Sequence, residues 1–512
     1  MKRILAIALS AACIAAGFVM REKNIGHRMP HADEAEQATT ASELIDTGVY
    51  KYNPNGPHGP TLYYWTAETL GAPTGEAQIS DFRKTLAPIA AAILLLLILT
   101  GRYLGRTAAW AGAACLAMSA FFQIYSGYFV HEIIFATLVY ALALAAWQFA
   151  CSPNVWLALL AGILLGLSQA TKETAVISYA AMAGSFAVCA ALEPRIRENL
   201  KWIFFSRAAP KLLLCVFAGA AAAFVLLYSS FGSNWAGVAD AVKSYCHFFG
   251  KAGSEQHASG ALFYIKLLFI QKSGGAYFGE IAISALAIFG FLAACLFRKK
   301  SPWQCTFAIY AFLNAVFAVA ALSLITYKTP WLLLSPFVFI CAVAGFGAAR
   351  MVLQKNVWIC LAAAALLGVL AWRQFALASN ASVRFDSDPR NPYIYSHTVR
   401  DFGNLISRVN AAAKFSQYES DIPVAFITEN SPWPAPFMLR QYRNAGFWSG
   451  GEIPENIEVF DVVVCDAPLA AAVGKKLDPQ KYETELYGLR KNLLLTAYIK
   501  KDIFDKIISE EK

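Results

Sequence analysis

The chain has 512 residues, of which 57% are hydrophobic and only 15% are charged, with a mean hydropathy of +0.46. Soluble globular domains carry nearer a quarter of charged residues, so this composition excludes a soluble protein over most of the length. The formal net charge of +9 does not indicate a nucleic-acid partner. Its Lys and Arg lie mainly in short loops, where they set the orientation of membrane spans.

Repeated apolar stretches have the length that crosses a hydrocarbon core. We expect the first, which follows Lys2 and Arg3, to be retained as a span rather than cleaved as a signal peptide. The hydropathy pattern predicts about eleven spans, at residues 4–20, 86–101, 107–125, 130–150, 155–170, 174–192, 211–229, 279–297, 304–326, 330–349 and 356–374.

The positive-inside rule orients these spans, because most loops rich in Lys and Arg then fall on the cytoplasmic face of a bacterial inner membrane. A transmembrane domain covers residues 1–379, with a first outer loop at 21–85 and a second at 230–278. Residues 380–512 are polar enough to form an extracytoplasmic domain. The predicted fold is therefore a polytopic α-helical membrane protein with a small C-terminal α/β domain.

Local patterns predict elements outside the membrane. Residues 33–46 place apolar side chains at helical spacing, which indicates a weakly amphipathic helix at the interface. In the C-terminal domain, the apolar runs 424–428 and 459–465 predict buried strands, and two further strands are expected near 482–489 and 493–499.

Five polar clusters fall on the extracytoplasmic side of this topology, whereas charges are scarce within the spans and the other face carries mostly Arg and Lys. This shared location predicts one site of chemistry at that interface. The clusters are His31-Ala32-Asp33-Glu34, His58-Gly59-Pro60, His131-Glu132, Lys172-Glu173 and Tyr327-Lys328-Thr329-Pro330-Trp331.

The acids of these clusters are the candidate catalytic groups. Asp33 can accept a proton from an attacking hydroxyl or amine, with Glu34 and Glu132 supporting it or holding a divalent cation. A metal is only one option, because the ligand set is sparse and no metal can be named. Acids at the start of a helix also favour its dipole without any catalytic role, and His131-Glu132 could be a solvated helix end.

Four basic side chains are candidates for binding a lipid-linked phosphate as positive charges. They are Lys328, Lys172, His58 and Arg83. For Lys172 the alternative is an internal ion pair with Glu173. The remaining polar and aromatic members of the clusters are the candidates for contacting substrate, namely His31, His131, Tyr327 and Trp331.

In combination these motifs resemble the GT-C glycosyltransferase superfamily, which includes protein O-mannosyltransferases and the aminoarabinose transferases of lipid A. Over about residues 1–450 the chain is more closely similar to the flippase-activity-associated membrane proteins of bacteria and archaea. The matching pieces are His31-x-Asp33-Glu34, Gly48-x-Tyr50-x-Tyr52-x-Pro54, His58-Gly59-Pro60-x-Leu62-Tyr63-Tyr64, His131-Glu132, Thr171-Lys172-Glu173-Thr174, Tyr327-Lys328-Thr329-Pro330-Trp331 and Asn391-Pro392-Tyr393-x-Tyr395-x-His397-Thr398.

The superfamily resemblance implies a polyprenyl-phosphate-linked sugar as donor substrate, an inverting transfer of a hexose or pentose, and an outward-facing site with Asp33 as the catalytic carboxylate. The acceptor would be a lipid, a glycan or a protein. The closer family implies a rival function, translocation of lipid-linked sugars. A third interpretation is a scaffold protein whose C-terminal domain recruits partners.

Overall fold

A computed structural model of the chain describes residues 2–54, 56, 58–252 and 259–510, with the backbone only for 245–252. The membrane domain is helical apart from one antiparallel hairpin, β1 (Ile270–Ser273) and β2 (Ala276–Gly279). Its helices are α1 (Lys2–Asn24), α2 (Ala32–Thr47), α3 (Thr61–Thr69), α4 (Ile79–Lys84), α5 (Ala87–Leu99), α6 (Gly101–Leu104), α7 (Arg106–Ala117), α8 (Ala120–Tyr125), α9 (Glu132–Cys151), α10 (Val155–Gln169), α11 (Ala175–Leu192), α12 (Pro194–Phe205), α13 (Ala209–Tyr228), α14 (Ala236–Ala252), α15 (Phe263–Leu268), α16 (Ile281–Phe297), α17 (Pro302–Leu324), α18 (Leu334–Val352) and α19 (Val357–Ser379).

Within the described residues, eight helical segments are long and apolar enough to cross a membrane, and α10 and α16 are shorter apolar helices. The chain is therefore an integral membrane protein, as its composition predicts. The predicted span 107–125 is instead two helices, α7 and α8, because the chain turns at Met118 and the Ser119 hydroxyl accepts from the Phe122 N–H to begin α8. The total of eleven spans stays a prediction.

Helix α18 lies at the centre of the bundle, with residues 334–349 all buried, and packs against α7, α16 and α17. Small residues permit these close contacts, as in other membrane helix pairs. At Gly345 a Cβ atom would lie 2.2 Å from the Ala108 carbonyl oxygen of α7. In contrast, Leu5, Leu214 and Trp358 are exposed, as expected for helix faces that contact lipid.

The C-terminal domain contains a mixed five-stranded sheet in the order β4-β3-β5-β7-β6. Strands β3, β4 and β5 run parallel, and β7 runs antiparallel to both β5 and β6. The structure confirms the predicted α/β domain and its four predicted strands, and adds β4 at one edge. The elements are α20 (Asp401–Phe415), β3 (Val424–Ile427), α21 (Ala435–Met438), β4 (Ala445–Trp448), β5 (Val462–Asp466), α22 (Ala470–Gly474), β6 (Tyr482–Arg490), β7 (Leu493–Lys500) and α23 (Lys501–Glu510).

Polar contacts join the C-terminal domain to the first outer loop. The Thr398 hydroxyl donates to the Pro30 carbonyl over 2.7 Å, and Arg440 donates to the Ala77 carbonyl over 2.5 Å. His27 lies 2.9 Å from the buried carboxylate of Asp386, which Arg400 also contacts. The sheet domain is thus placed directly over the loop that carries Asp33.

The α7–α18 contact gives a first prediction. Gly345→Ala should lower the free energy of unfolding by about 2 kcal/mol, the usual scale for an overpacked core, because the new methyl group meets backbone that cannot rotate away. Thermal unfolding in detergent measures the change. Gly368→Ala is the matched control, since no atom lies within 4 Å of its Cβ position. Equal melting temperatures for the two variants would contradict this account of the packing.

Candidate functional site

Helix α2 turns two neighbouring acids in different directions. His31 caps the helix: its Nδ1 accepts from the Asp33 N–H over 3.0 Å, and the Glu34 carboxylate accepts from the His31 N–H over 3.1 Å. Consecutive residues of an α-helix are rotated by about 100°. As a result the Asp33 side chain is 45% exposed, whereas that of Glu34 is fully buried.

Glu34 forms a buried, two-pronged ion pair with Arg83 of α4. The two contacts measure 2.7 Å from Nε and 2.6 Å from Nη2, and the Phe129 N–H donates to the same carboxylate over 2.9 Å. Burial alone would raise the pKa of Glu34, but the attraction of Arg83 and these hydrogen bonds outweigh it and lower the pKa. Glu34 is therefore held as a buried anion with no access to a reacting group.

Arg83 uses the rest of its donors on backbone carbonyls. It donates to Ile25 and Arg28 through Nη1 and to Met29 through Nη2. A guanidinium has five N–H groups, and all are committed here. The expectation that Arg83 binds a donor phosphate is inconsistent with this geometry, and so is a direct catalytic role for Glu34.

Aromatic and imidazole rings form a wall beside Asp33. His31 donates from Nε2 to the Tyr395 carbonyl over 2.9 Å, since its Nδ1 is an acceptor. Its ring lies 5.7 Å from that of Tyr128, 6.1 Å from that of Trp331 and 5.1 Å from that of His397. The predicted substrate-contacting residues His31 and Trp331 thus lie together. Tyr395 and His397, which the sequence offers only within a matching motif, join them, and so does Tyr128, which the sequence analysis did not select.

Arg490 of the C-terminal domain is a further residue of the site that the sequence did not reveal. Burial lowers the pKa of its guanidinium, and the negative charges of Asp33 and Asp466 act against that shift. Its Nη2 donates to the Trp433 carbonyl over 2.6 Å, whereas its buried Nε has no hydrogen-bond partner among the described residues. A cation from the sheet domain therefore acts on the exposed acid of the membrane domain.

The second acid, Glu132, begins α9 and pairs with Lys172, which lies between α10 and α11. Both side chains are buried. Glu173, the predicted alternative partner of Lys172, instead lies 2.9 Å from Nδ1 of His58. Burial would raise the pKa of Glu173, but the His58 hydrogen bond and charge outweigh it and lower the pKa to about 2. The predicted pairing within Lys172-Glu173 is wrong.

The side chains of His58 and His131 lie next to each other beside Lys172 and Glu173. Their rings are 5.4 Å apart, and His131 contacts the Gly59 carbonyl through Nε2 over 2.7 Å. The Nδ1 atom of His131 is buried and has no hydrogen-bond partner within the described residues. Two of the basic residues predicted to bind phosphate, Lys172 and His58, therefore lie together, each already beside a carboxylate.

The phenol of Tyr327 is within electrostatic range of both Asp33 and Glu132. Burial raises the pKa of its phenol to about 12, and the negative charges of Asp33 and Glu132 add to the shift. The neighbouring Lys328 donates from its ammonium group to the carbonyl oxygens of Ser259 and Ile325. These contacts lie within the surrounding loops. A phosphate role for Lys328 stays a prediction, and it would require at least one of these contacts to be exchanged.

A narrow crevice leads from the Glu132–Lys172 pair between α9, α11, α17 and α18. Trp331 and Leu332 line it, and its volume is about 20 Å³, close to the space of one water molecule. One end of the crevice is charged and the rest is largely apolar. Its further lining residues are Phe135, Thr174, Ile177, Ser178, Ala318, Leu322, Ser335 and Pro336.

The residues present do not fit a metal ion. The described parts of the chain contain no group of three His, Cys, Asp or Glu side chains able to share a cation. Glu34 and Glu132, the predicted supports for such an ion, are occupied by Arg83 and Lys172. We therefore derive no chemical step through a metal.

Helix arrangement and site together define a membrane protein with the GT-C fold, which confirms the fold that the motifs predict. No family model matches the chain, and no curated protein matches it by sequence. ArnT from Cupriavidus metallidurans bound to undecaprenyl phosphate matches at a TM-score of 0.61 and 12% identity, over 96% of this chain and 98% of that chain. The apo form of ArnT gives a TM-score of 0.63 at 11% identity, over the same shares.

A second similar protein is archaeal. The oligosaccharyltransferase AglB from Archaeoglobus fulgidus, in complex with an inhibitory peptide and a dolichol-phosphate, matches at a TM-score of 0.51 and 14% identity. The match covers 94% of this chain and 74% of that chain. At these identities the likeness establishes the fold, and activity must be argued from the site.

The Glu34–Arg83 pair gives a second prediction. Glu34→Gln should lower the free energy of unfolding by about 3–5 kcal/mol, because it leaves a buried guanidinium without its anion. The pKa of Glu34 is lowered in the folded chain from its usual 4.5. The stability that the pair contributes is therefore present above about pH 4.5 and is lost as the pH falls further. Thermal unfolding in detergent across this pH range measures both effects.

Asp81→Asn is the control for this variant. It removes the Asp81–Lys84 pair at the surface of α4, whose contact is 2.8 Å, and surface pairs contribute only about 0–1 kcal/mol. The amide oxygen of Asn can still accept from the Gln78 N–H that Asp81 caps. A Glu34→Gln variant that unfolds at the wild-type temperature near neutral pH would show that the buried pair does not hold the loop.

Proposed function

We propose that this protein is a membrane glycosyltransferase that moves a sugar from a polyprenyl-phosphate-linked donor to an acceptor on the extracytoplasmic face. One observation carries the proposal. Of the acids brought together here, Glu34, Glu132 and Glu173 are buried in ion pairs, whereas Asp33 is partly exposed beside an aromatic wall. The site thus offers one carboxylate that can reach an incoming acceptor.

Asp33 orients the acceptor and takes its proton as the new bond forms. The acceptor oxygen or nitrogen attacks the anomeric carbon of the sugar from the face opposite the lipid phosphate, and the bond between that carbon and the phosphate oxygen breaks. The proton passes to Asp33 and the electron pair leaves with the phosphate, so the configuration is inverted. A carboxylate is a weak base, so much of its effect would come from orientation.

Lys172 and His58 are placed to stabilise the departing phosphate. Lys172 lines the charged end of the crevice, and His58 lies beside it on Glu173; charge that is already in place favours a developing anion. Glu132 and Glu173 would hold the two basic side chains in position until the donor arrives. Tyr327 and Trp331 lie between this group and Asp33, where the sugar would be held.

The apolar part of the crevice suits a prenyl chain. It runs between four membrane helices, and it is lined by Phe135, Ile177 and Leu332. The crevice is too narrow to hold a lipid as it stands, so donor entry requires its side chains to move apart. ArnT was solved with undecaprenyl phosphate and AglB with a dolichol-phosphate, which supports the same class of donor for this chain.

The role of Asp33 gives a third prediction. Asp33→Asn should lower sugar transfer by about 10²–10⁴-fold, the usual contribution of a general base, while donor binding and folding are unchanged. Transfer is measured with radiolabelled polyprenyl-phosphate sugar in proteoliposomes. Glu43→Gln is the matched control, since it neutralises an exposed acid on the same helix. Wild-type turnover by Asp33→Asn would remove Asp33 from the mechanism.

Lys172 gives a fourth prediction. Lys172→Gln should weaken binding of a polyprenyl phosphate by about tenfold, the loss expected for one charge-assisted contact. Because the variant also leaves Glu132 unpaired, the double variant Lys172→Gln with Glu132→Gln is compared. It removes both charges and restores neutrality. Binding of the lipid at wild-type strength by the double variant would show that Lys172 serves only as the partner of Glu132.

The same proteoliposomes separate the transferase from a flippase. Transfer of labelled sugar to an acceptor added outside supports the enzyme. Movement of the intact donor across the bilayer, without transfer, supports translocation instead. The arrangement of the five clusters favours the enzyme, because they lie at one end of the bundle, whereas translocation calls for polar groups along a path to both faces.

A further inference from the structure

A cavity of about 400 Å³ lies between the β1–β2 hairpin and the end of α19, and shares no lining residue with the crevice at Lys172. Three arginines, Arg373, Arg384 and Arg390, line it together with the ring of Phe385. A cavity of this volume is in the range of small-ligand sites. Its charge is unusual, because arginine is depleted from extracytoplasmic membrane edges.

The cavity lies at the same end of the bundle as the candidate active site. Helix α19 leads into the segment that carries Tyr395, and hairpin β1–β2 leads into Glu280, which Tyr393 contacts over 3.3 Å. Arg373 is about 25 Å along α19 from its beginning at Val357, at 1.5 Å per residue. This places Arg373 close to the far edge of the hydrocarbon core.

One of the three arginines is held in place and two have no partner. Arg390 forms a two-pronged ion pair with Asp388, at 2.6 Å for the shorter contact, and donates from Nη1 to the Gly274 carbonyl over 3.2 Å. Gly274 suits this position, because its φ is +52° and a Cβ atom would lie 2.1 Å from the Arg390 Cδ. In the described part of the chain, Arg373 and Arg384 make no hydrogen bond or ion pair, although Arg384 lies 5.4 Å from the Phe385 ring.

The charges and the surrounding surface together define the ligand. Three guanidiniums and one carboxylate leave about two uncompensated positive charges facing the cavity, and guanidinium binds phosphate oxygens in two-pronged fashion. Large apolar side chains at the cavity are exposed, namely Tyr277, which lines it, and Trp372, the neighbour of Arg373 in α19. Such a surface next to a basic pocket suits a ligand with a phosphate head and an apolar tail.

We propose that this arginine cavity binds the phosphate headgroup of an anionic membrane lipid from the leaflet on the side of Asp33, separately from the sugar donor. The lipid tails would lie along the exposed faces of α16 and α19. The headgroup would then link hairpin β1–β2 to the segment that follows α19. The same two parts of the chain are already joined by the contact between Glu280 and Tyr393.

Native mass spectrometry of the full chain in detergent tests the proposal. Phosphatidylglycerol and phosphatidylcholine are titrated against the wild type and against the double variant Arg373→Gln with Arg384→Gln. Both arginines are exposed and unpartnered, so the variant should fold. The control, Lys475→Gln with Lys476→Gln, removes the same charge from an exposed helix end of the sheet domain.

We expect the wild type to bind phosphatidylglycerol more tightly than phosphatidylcholine, and the arginine variant to lose roughly fivefold in affinity per charge removed, while the lysine control is unchanged. Equal phosphatidylglycerol binding by the wild type and the arginine variant would overturn the proposal. A third arm adds millimolar inorganic phosphate. Displacement of the lipid by phosphate alone would assign the cavity to a soluble phosphate compound and would overturn the lipid assignment.

Discussion

The buried ion pair between Glu34 and Arg83 is the interaction on which the candidate site depends. Through its hydrogen bonds, Arg83 links α4 to the carbonyl groups of the segment that follows α1. Glu34 links the start of α2 to the Phe129 N–H. That last segment leads directly into Glu132. A single pair of charges therefore positions the helix that carries Asp33 and the helix that carries the second acid. Because the pair is desolvated, loss of either partner leaves an uncompensated charge.

The adjacent acids Asp33 and Glu34 differ in their surroundings and therefore in what each can do. Asp33 and Glu34 differ by one methylene, yet one helical step places the first beside an open surface and the second in the interior. An acid that is fully hydrogen-bonded holds structure well and reacts poorly, because its lone pairs are committed. The acid left with exposed oxygens is the one that can serve an acceptor. Similarly, Lys172 and His58 are held in place by two buried acids, Glu132 and Glu173.

Elements that follow from local pattern were predictable from the sequence. Helix α2 has apolar residues at helical spacing, and strands β3 and β5 are short continuous apolar runs; the structure confirms all three. Contacts between side chains that are far apart in the sequence were not predictable. Lys172 adjoins Glu173 in sequence, but it pairs with Glu132, since the short turn between α10 and α11 directs neighbouring side chains to different sides. Arg490 lies on a strand of a separate domain, and only docking brings it near Asp33.

The sheet domain lies over the site and contributes the positive charge of Arg490 to it. Thr398 and Arg440 fasten it to the first outer loop through backbone carbonyls, and Arg490, the last residue of β6, lies within electrostatic range of Asp33. The wall beside Asp33 also draws on both parts of the chain, since Tyr128 and Trp331 belong to the membrane domain and His397 to the segment that follows α19. The surroundings of the exposed acid are therefore built where the two domains meet, whereas the Glu132–Lys172 pair and the crevice belong to the membrane domain alone.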